Sequence, residues 1–318
     1  MKTYHFKTLV QTAISITLLQ LITLHASQAA DVSTTGSTNL YPAEILQISD
    51  DPNIKASVMT ADKTKRVLKF YSPDKSLLES EVFEIDIGKN SGNKTKRDDK
   101  KTPEGIYVLQ KKLLPPEIPF DLYGSMAFTT NYPNVFDKFD NKTGSGIWLH
   151  SVPDTVPLSR GSKGCVVLRN NVIQKLSSAI ELNKSFLIIN DKTNQIDENE
   201  HQKQKDKVVT WIELWRATWE TQELDKYIKL YDDDFSAPGF NKGSWLKHKE
   251  KLKGIYQNIK IDLSKASIFH IKNQYLVKVL QKYSSSGHQD IGVKMLYLIE
   301  EKNGFKIIRE EWEAVNPS

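Results

Sequence analysis

Cysteine is almost absent: the chain holds one, Cys165, in 318 residues. Internal disulfides are excluded, and so is a zinc site built on clustered thiolates. Histidine is scarce, with seven residues, and His150 is the only one between residues 54 and 191. No long apolar run follows residue 30, which excludes a polytopic membrane protein. No Lys/Arg block stands out. The 44 basic and 39 acidic residues leave +5, which reads as a solvated surface and not as a nucleic-acid patch. At 39% hydrophobic residues the chain is too apolar to be disordered, and its length suits about two domains.

What is present begins with a secretory signal, read over residues 1–29. Lys2 and Lys7 make a positive start, Thr8–Leu24 is mostly apolar, and Ser27-Gln28-Ala29 offers small residues before a cleavage point. Gln11 and Gln20 interrupt the run and leave it short of the ~20 apolar residues of a spanning helix. The mature chain is therefore expected to start near Ala30, exported and without integral membrane association. In an oxidising space cysteines usually pair. An unpaired Cys165 is then either buried and inert or kept for its chemistry.

Four parts follow. Residues 30–53 form a polar arm with a helix-like piece at Ala43–Ile48, either flexible or packed on a second subunit. Residues 54–191 read as mostly strands. Phe83, Ile85 and Ile87 alternate with Glu84 and Asp86, and short apolar runs recur at Val67–Phe70, Tyr107–Leu109, Ile147–His150, Cys165–Leu168 and Phe186–Asn190. A helix is predicted over Asn171–Glu181, with Val172, Leu176 and Ile180 on one face. Two long connections, Gly88–Thr102 and Pro115–Gly146, are functional or disordered on length alone. Residues 192–207 are nearly free of apolar side chains and read as a linker. Residues 208–318 carry five of the six tryptophans. Trp211, Trp215 and Trp219 repeat every four residues, a helix face expected in a core. A helix through Leu224, Tyr227, Ile228 and Tyr231 and another from Ser244 follow. Strands come last, with Asn303-Gly304 as a hairpin turn. Helices before an antiparallel sheet make an α+β domain.

The chemistry concentrates between His150 and Cys165. The only histidine of the strand-rich part precedes the only cysteine by fifteen residues, and both lie beside strand-like runs. A thiol with a reference pKa near ~8.5 is mostly protonated at neutral pH, and a nearby imidazole lowers that pKa and stores the proton. The base needs an orienting partner. No acid adjoins His150, so the backbone carbonyl of Ser151 is the candidate. Gly164 lets the backbone approach a substrate, and the Gly164 and Cys165 amides are candidates for an oxyanion pocket. A buried cysteine and an unrelated histidine would leave the same letters.

These residues resemble the L,D-transpeptidase catalytic domain, whose signature is a His followed about fifteen residues on by Ser-His-Gly-Cys. Here it is His150-Ser151, then Ser162-Lys163-Gly164-Cys165. Gly88-Lys89-Asn90, Thr102-Pro103-Glu104-Gly105, Tyr132-Pro133-Asn134 and Gly144-Ser145-Gly146 also look like the family, over about Ala56–Asn190. The resemblance implies a mainly β, sandwich-like catalytic domain with Cys165 as nucleophile, His150 as general base and the Ser151 carbonyl orienting it. Ser162, Gly164 and the Cys165 amide would shape the oxyanion pocket, and Tyr132 would belong to the substrate-binding set. Two departures stand out: Lys163 replaces the usual His, and Val167 stands where an arginine is usual. Contacts to substrate carboxylates are then left to Arg169, Arg160 or Lys163.

The implied substrate is the peptidoglycan stem peptide, cleaved between meso-diaminopimelate and D-alanine through a thioester, in the periplasm. Water as acceptor gives an L,D-carboxypeptidase. An amine gives 3–3 cross-links or lipoprotein attachment. The last part looks like a nuclear-transport-factor-2-like (NTF2-like) cone, a form that holds pockets and could grip a glycan or peptide. The whole resembles the cell-shape L,D-carboxypeptidases of helical bacteria. That likeness favours hydrolysis and implies a homodimer through the arm. A non-catalytic wall-binding protein and a cysteine amidase acting on lipoprotein cross-links are the alternatives. No metal or organic cofactor is implied.

Overall fold

The computed structural model describes residues 39–315, which fall within one compact unit. The expected signal and the first part of the arm lie outside the described residues. No described helix is long and apolar enough to cross a membrane.

The first domain is built on one sheet, ordered Glu81–Glu84, Val67–Tyr71, Val58–Asp62, Phe186–Asn190, Gly105–Leu113, Ala127–Thr130, Trp148–Val152, Val166–Arg169. Phe186–Asn190 sits centrally, parallel to Val58–Asp62 and antiparallel to Gly105–Leu113. Its sequence, Phe-Leu-Ile-Ile-Asn, is apolar without alternation because both faces are covered, as in other doubly buried strands. Leu187 and Ile189 face a core with Met59, Tyr107 and the helix residues Ile173 and Leu176. Phe186 and Ile188 face the other way, onto Phe269, Leu276 and Tyr297 of the C-terminal sheet. Each such side chain contributes about 1.5–3 kcal/mol on burial. The two domains therefore share a core across this sheet.

The C-terminal domain is also β-rich. Gly304–Ala314, Gln289–Glu301, Gln274–Ser284 and Ser267–Ile271 form a continuous antiparallel run, with Tyr231–Ala237 added at one side. The helix Glu198–Glu220 buries Trp211, Trp215 and Trp219 against this sheet, and the Trp215 Nε1–H donates to the Tyr231 hydroxyl at 3.0 Å. The mainly β domain followed by an α+β domain is the expected build.

Several local expectations fail. Residues 192–207 are not a linker. Gln195–Asp197 is a strand paired with Leu40–Pro42, and the helix starts at Glu198. Its polar first turns are held by an Asp197 cap on the Glu200 N–H at 2.9 Å and by Gln204–Glu200 and Gln202–Asp206 pairs at 2.8 and 2.7 Å. The helix-like piece at Ala43–Ile48 is instead the strand Ile45–Gln47, which pairs with Ser267–Ile271. From Leu40 onward the arm is thus committed to its own chain. The helix begun at Leu224 stops at Tyr227, and Tyr231 opens a strand. The connection Pro115–Gly146 contains two short helices, Phe120–Tyr123 and Val135–Phe139, around the strand Ala127–Thr130.

Candidate active site

The adjacent parallel strands Trp148–Val152 and Val166–Arg169 set the domain's one histidine and its cysteine in neighbouring segments. His150 is opposite Val167 in the register. Cys165 immediately precedes the strand Val166–Arg169, and Tyr123 packs on His150 and lines the cavity that opens at Cys165. Cys165 is buried, 9% exposed, and its Sγ donates to the Gly146 carbonyl at 3.6 Å. His150 is also buried, and its Nδ1 is 2.6 Å from the Ser151 carbonyl. A carbonyl only accepts, so Nδ1 carries the proton and Nε2 is left free as the base. Burial pushes the imidazole down to about 4, with the Arg160 charge adding to it and the Ser151 bond opposing it. Burial pushes the thiol up to about 11, against the Trp148 N–H and the Lys94 charge. The resting pair is therefore a neutral thiol and a neutral imidazole. The expectation that the histidine holds the thiol low is reversed by burial.

Ser162 holds the loop before Cys165 from both sides. Its hydroxyl donates to the Cys165 carbonyl at 2.7 Å and accepts the Gly164 N–H at 3.0 Å. The Gly164 amide is thus occupied, and it does not face an oxyanion as expected. The Cys165 N–H remains for that role. Gly164 itself is at φ +135, and a Cβ there would lie 2.7 Å from the Lys101 carbonyl oxygen and 2.9 Å from Ile147 Cδ1. Only glycine fits this approach.

A cavity of about 590 Å³ opens at Cys165. Its walls are the loop residues Lys94, Arg97 and Lys100, the Gly144–Ile147 turn, Tyr123 and Lys163. Tyr123 packs against Trp148 and edge-on against His150, both with ring centroids 5.0 Å apart. Two expected substrate contacts are elsewhere. The Arg169 guanidinium donates to the Val156 carbonyl at 2.6 Å. Tyr132 is buried and donates to the Thr143 carbonyl at 3.0 Å, supporting the turn from below. Neither lines the cavity.

The Gly88–Thr102 connection is neither disordered nor free. Asp99 accepts from the Thr95, Lys96 and Lys101 N–H groups at 3.0, 3.1 and 3.1 Å and from Lys94 Nζ at 2.7 Å. Buried Lys63 donates to the Gly92 and Thr102 carbonyls at 2.9 and 3.2 Å and pairs with Glu104 at 2.8 Å. Lys272 of the C-terminal domain reaches the other Glu104 oxygen at 2.7 Å. Sequence reasoning missed Arg97 and Lys100 as cavity residues; the basic run Lys94–Lys101 was the signal that could have pointed to them. Nothing in the spacing pointed to Tyr123.

A second cavity, of about 470 Å³, lies in the C-terminal domain. Trp215 and Trp219, expected in the core, also line it. Lys249 Nζ sits 4.1 Å above the Trp219 ring and 4.5 Å above Trp245. Trp245 Nε1, the Tyr283 hydroxyl and one Asp290 oxygen, all buried in residues of its wall, have no hydrogen-bond partner among the described residues.

Residues 56–208 match the family model of the YkuD L,D-transpeptidase catalytic domain, and residues 207–311 match that of the Cds6 C-terminal NTF2-like domain. The solved structure of Bdellovibrio bacteriovorus Bd1075 is 47% identical, with a TM-score of 0.81 over 88% of this chain and 100% of that one. The chain belongs to the L,D-transpeptidase family. The helical cell shape determining protein Pgp2 from Campylobacter jejuni is 25% identical, with a TM-score of 0.63 over 86% of this L,D-transpeptidase-family chain and 94% of Pgp2. No curated protein matches.

Proposed function

We propose that the protein is a periplasmic peptidoglycan enzyme that removes the terminal D-alanine from tetrapeptide stems. The observation that carries this reading is that two adjacent parallel strands carry the domain's only histidine and, directly before the second strand, its only cysteine, with His150 Nδ1 fixed on the Ser151 carbonyl. As substrate enters, Nε2 takes the Cys165 proton and Sγ attacks the diaminopimelate carbonyl carbon. The Cys165 N–H meets the developing oxyanion. The C–N bond breaks, the imidazolium returns the proton to the leaving D-alanine amine, and a thioester remains. His150 then takes a proton from water, which attacks the thioester and releases the tripeptide and the thiol. A neutral resting pair suits this order, because the base is unprotonated and the nucleophile keeps its proton until it is needed.

A role in cell shape is supported by the build shared with Pgp2, whose name describes a helical cell shape determinant, and water as acceptor is part of the proposal. The aromatic cavity of the C-terminal domain, with its unpartnered polar atoms, supports a hold on wall material away from the cysteine. The match to a transpeptidase family model favours an amine acceptor as the second reading.

The deciding experiment incubates the mature protein and Cys165→Ala with disaccharide-tetrapeptide and reads products by mass spectrometry. Loss of one D-alanine that depends on Cys165 is expected. Cross-linked dimers would make the protein a transpeptidase instead. A tetrapeptide untouched by both proteins would overturn the hydrolase reading and leave a wall-binding protein.

A further inference from the structure

Given the stem-peptide reading above, we propose that Arg97, Lys100 and Lys163 together bind the carboxylates of the substrate, replacing an arginine that follows the nucleophile. Arg169, the nearest arginine after Cys165, is turned away to the Val156 carbonyl. The cavity draws its positive charge from other elements.

The lining residues divide into spent and unspent charges. Lys94 is buried and committed to Asp99 and to the Lys96 carbonyl, at 2.7 and 2.8 Å. Arg97, Lys100 and Lys163 are exposed, line the cavity, and are in no salt bridge among the described residues. Among the described residues Asp98 is the one carboxylate on the wall. A diaminopimelate tetrapeptide carries a complementary set: the carboxylates of D-glutamate, diaminopimelate and D-alanine, and one ammonium on diaminopimelate.

The loop is built to present these groups. Asp98 and Lys100 stand at φ 62° and 55°, the left-handed region that residues other than glycine seldom occupy. Such positions cost of order 1–3 kcal/mol each and persist only where surrounding bonds over-determine them. Here the Asp99 carboxylate between them accepts four hydrogen bonds. Ordering is thus complete before substrate arrives, which lowers the cost of binding. Lys163, two residues from Cys165, receives the terminal D-alanine carboxylate. Arg97 and Lys100 receive those of D-glutamate and diaminopimelate, and Asp98 receives the ammonium.

The test compares wild type, Arg97→Gln, Lys100→Gln and Lys163→Gln on two tetrapeptides. One is native, and the other is amidated on D-glutamate and diaminopimelate. Arg97→Gln and Lys100→Gln should each raise KM about tenfold on the native stem, the loss of one charge-assisted contact. On the amidated stem the penalty should fall below about twofold, since no charge is left to read. Lys163→Gln should raise KM on both, because both keep the D-alanine carboxylate. Equal effects of Arg97→Gln and Lys100→Gln on the two stems, or no effect, would overturn the assignment.

A second readout needs no turnover. The ratio of iodoacetate to iodoacetamide labelling rates at Cys165, referred to the same ratio for glutathione, reports attraction of an anion into the cavity. The triple Gln variant should lower that ratio about fivefold or more. If wild type leaves every stem intact, the carboxypeptidase reading falls. The labelling ratio then decides alone: a fall keeps the anion-binding cradle, and an unchanged ratio removes it.

Discussion

Glu104→Ala is expected to be strongly destabilising. Glu104 and Lys63 keep only 6% and 4% of their side-chain surface, and their pair is 2.8 Å long. Removing one partner of such a pair leaves an uncompensated buried charge, at about 3–5 kcal/mol. Lys272 is 61% exposed, and its loss leaves the Lys63 pair intact, so Lys272→Ala should cost about 0–1 kcal/mol. Replacing the pair together, Lys63→Met with Glu104→Leu, should recover most of the loss, because well-packed apolar side chains often equal a buried ion pair.

The sign with pH follows from the carboxyl. Burial works to raise the Glu104 pKa, but Lys272 and Lys63 outweigh it and hold it below the usual range. The stabilisation is therefore fully present above the ordinary carboxylate value of about 4.3. It is lost only as pH falls through the depressed folded value. Urea unfolding followed by circular dichroism at pH 7, repeated under acid, measures all of this. A Glu104→Ala cost below about 1 kcal/mol, or a double variant as weak as the single, would refute the reasoning.

Three further outcomes are expected. Gly164→Ala meets the Lys101 carbonyl at 2.7 Å; it should lose about 1–3 kcal/mol and cut turnover by well over tenfold, and wild-type turnover would show that the loop gives way freely. With His150 near 4 and Cys165 near 11, kcat/KM should hold a plateau from mildly acid to alkaline pH, and a bell centred near 6.5 would show a charged pair instead. Lys249 is pushed down to about 7 by burial and Lys278 to about 8. Only the unfolded chain binds those protons from there to about 10, so the melting temperature should rise with pH across that window. Lys249→Met should remove the larger share of the rise, and an unchanged slope would count against a depressed Lys249.

What could be read from the letters follows a physical line. Doubly buried strands such as Phe186–Asn190 declare themselves by composition, and the Trp211, Trp215, Trp219 spacing declares a helix face. His150, Ser151 and Cys165 were legible because each is singular or adjacent to something singular. The polar start of the helix at Glu198 was not legible: its caps and i,i+4 pairs are weak signals beside the absence of apolar residues. The strand Ile45–Gln47 was hidden because its partner, Ser267–Ile271, lies more than two hundred residues away. Arg169 and Tyr132 were misplaced for a different reason. Motif position says which residue is near a site, and only the Val156 and Thr143 carbonyls say where the polar ends are spent.

The strand Ile45–Gln47 has a consequence for how this gene could be cut and rejoined. It precedes the first domain in the chain, yet it borders Ser267–Ile271, and the His270 N–H donates to the Glu44 carbonyl at 3.0 Å. His201 Nε2 adds a 2.9 Å bond to the Ile45 carbonyl. A transplant of residues 208–318 alone would leave Ser267–Ile271 with an open edge, the kind that recruits foreign strands. The C-terminal domain is thus a discontinuous unit whose first piece is translated before the enzyme domain. Recombination that swaps either domain must carry the N-terminal piece with the last one, which ties the inheritance of the two together.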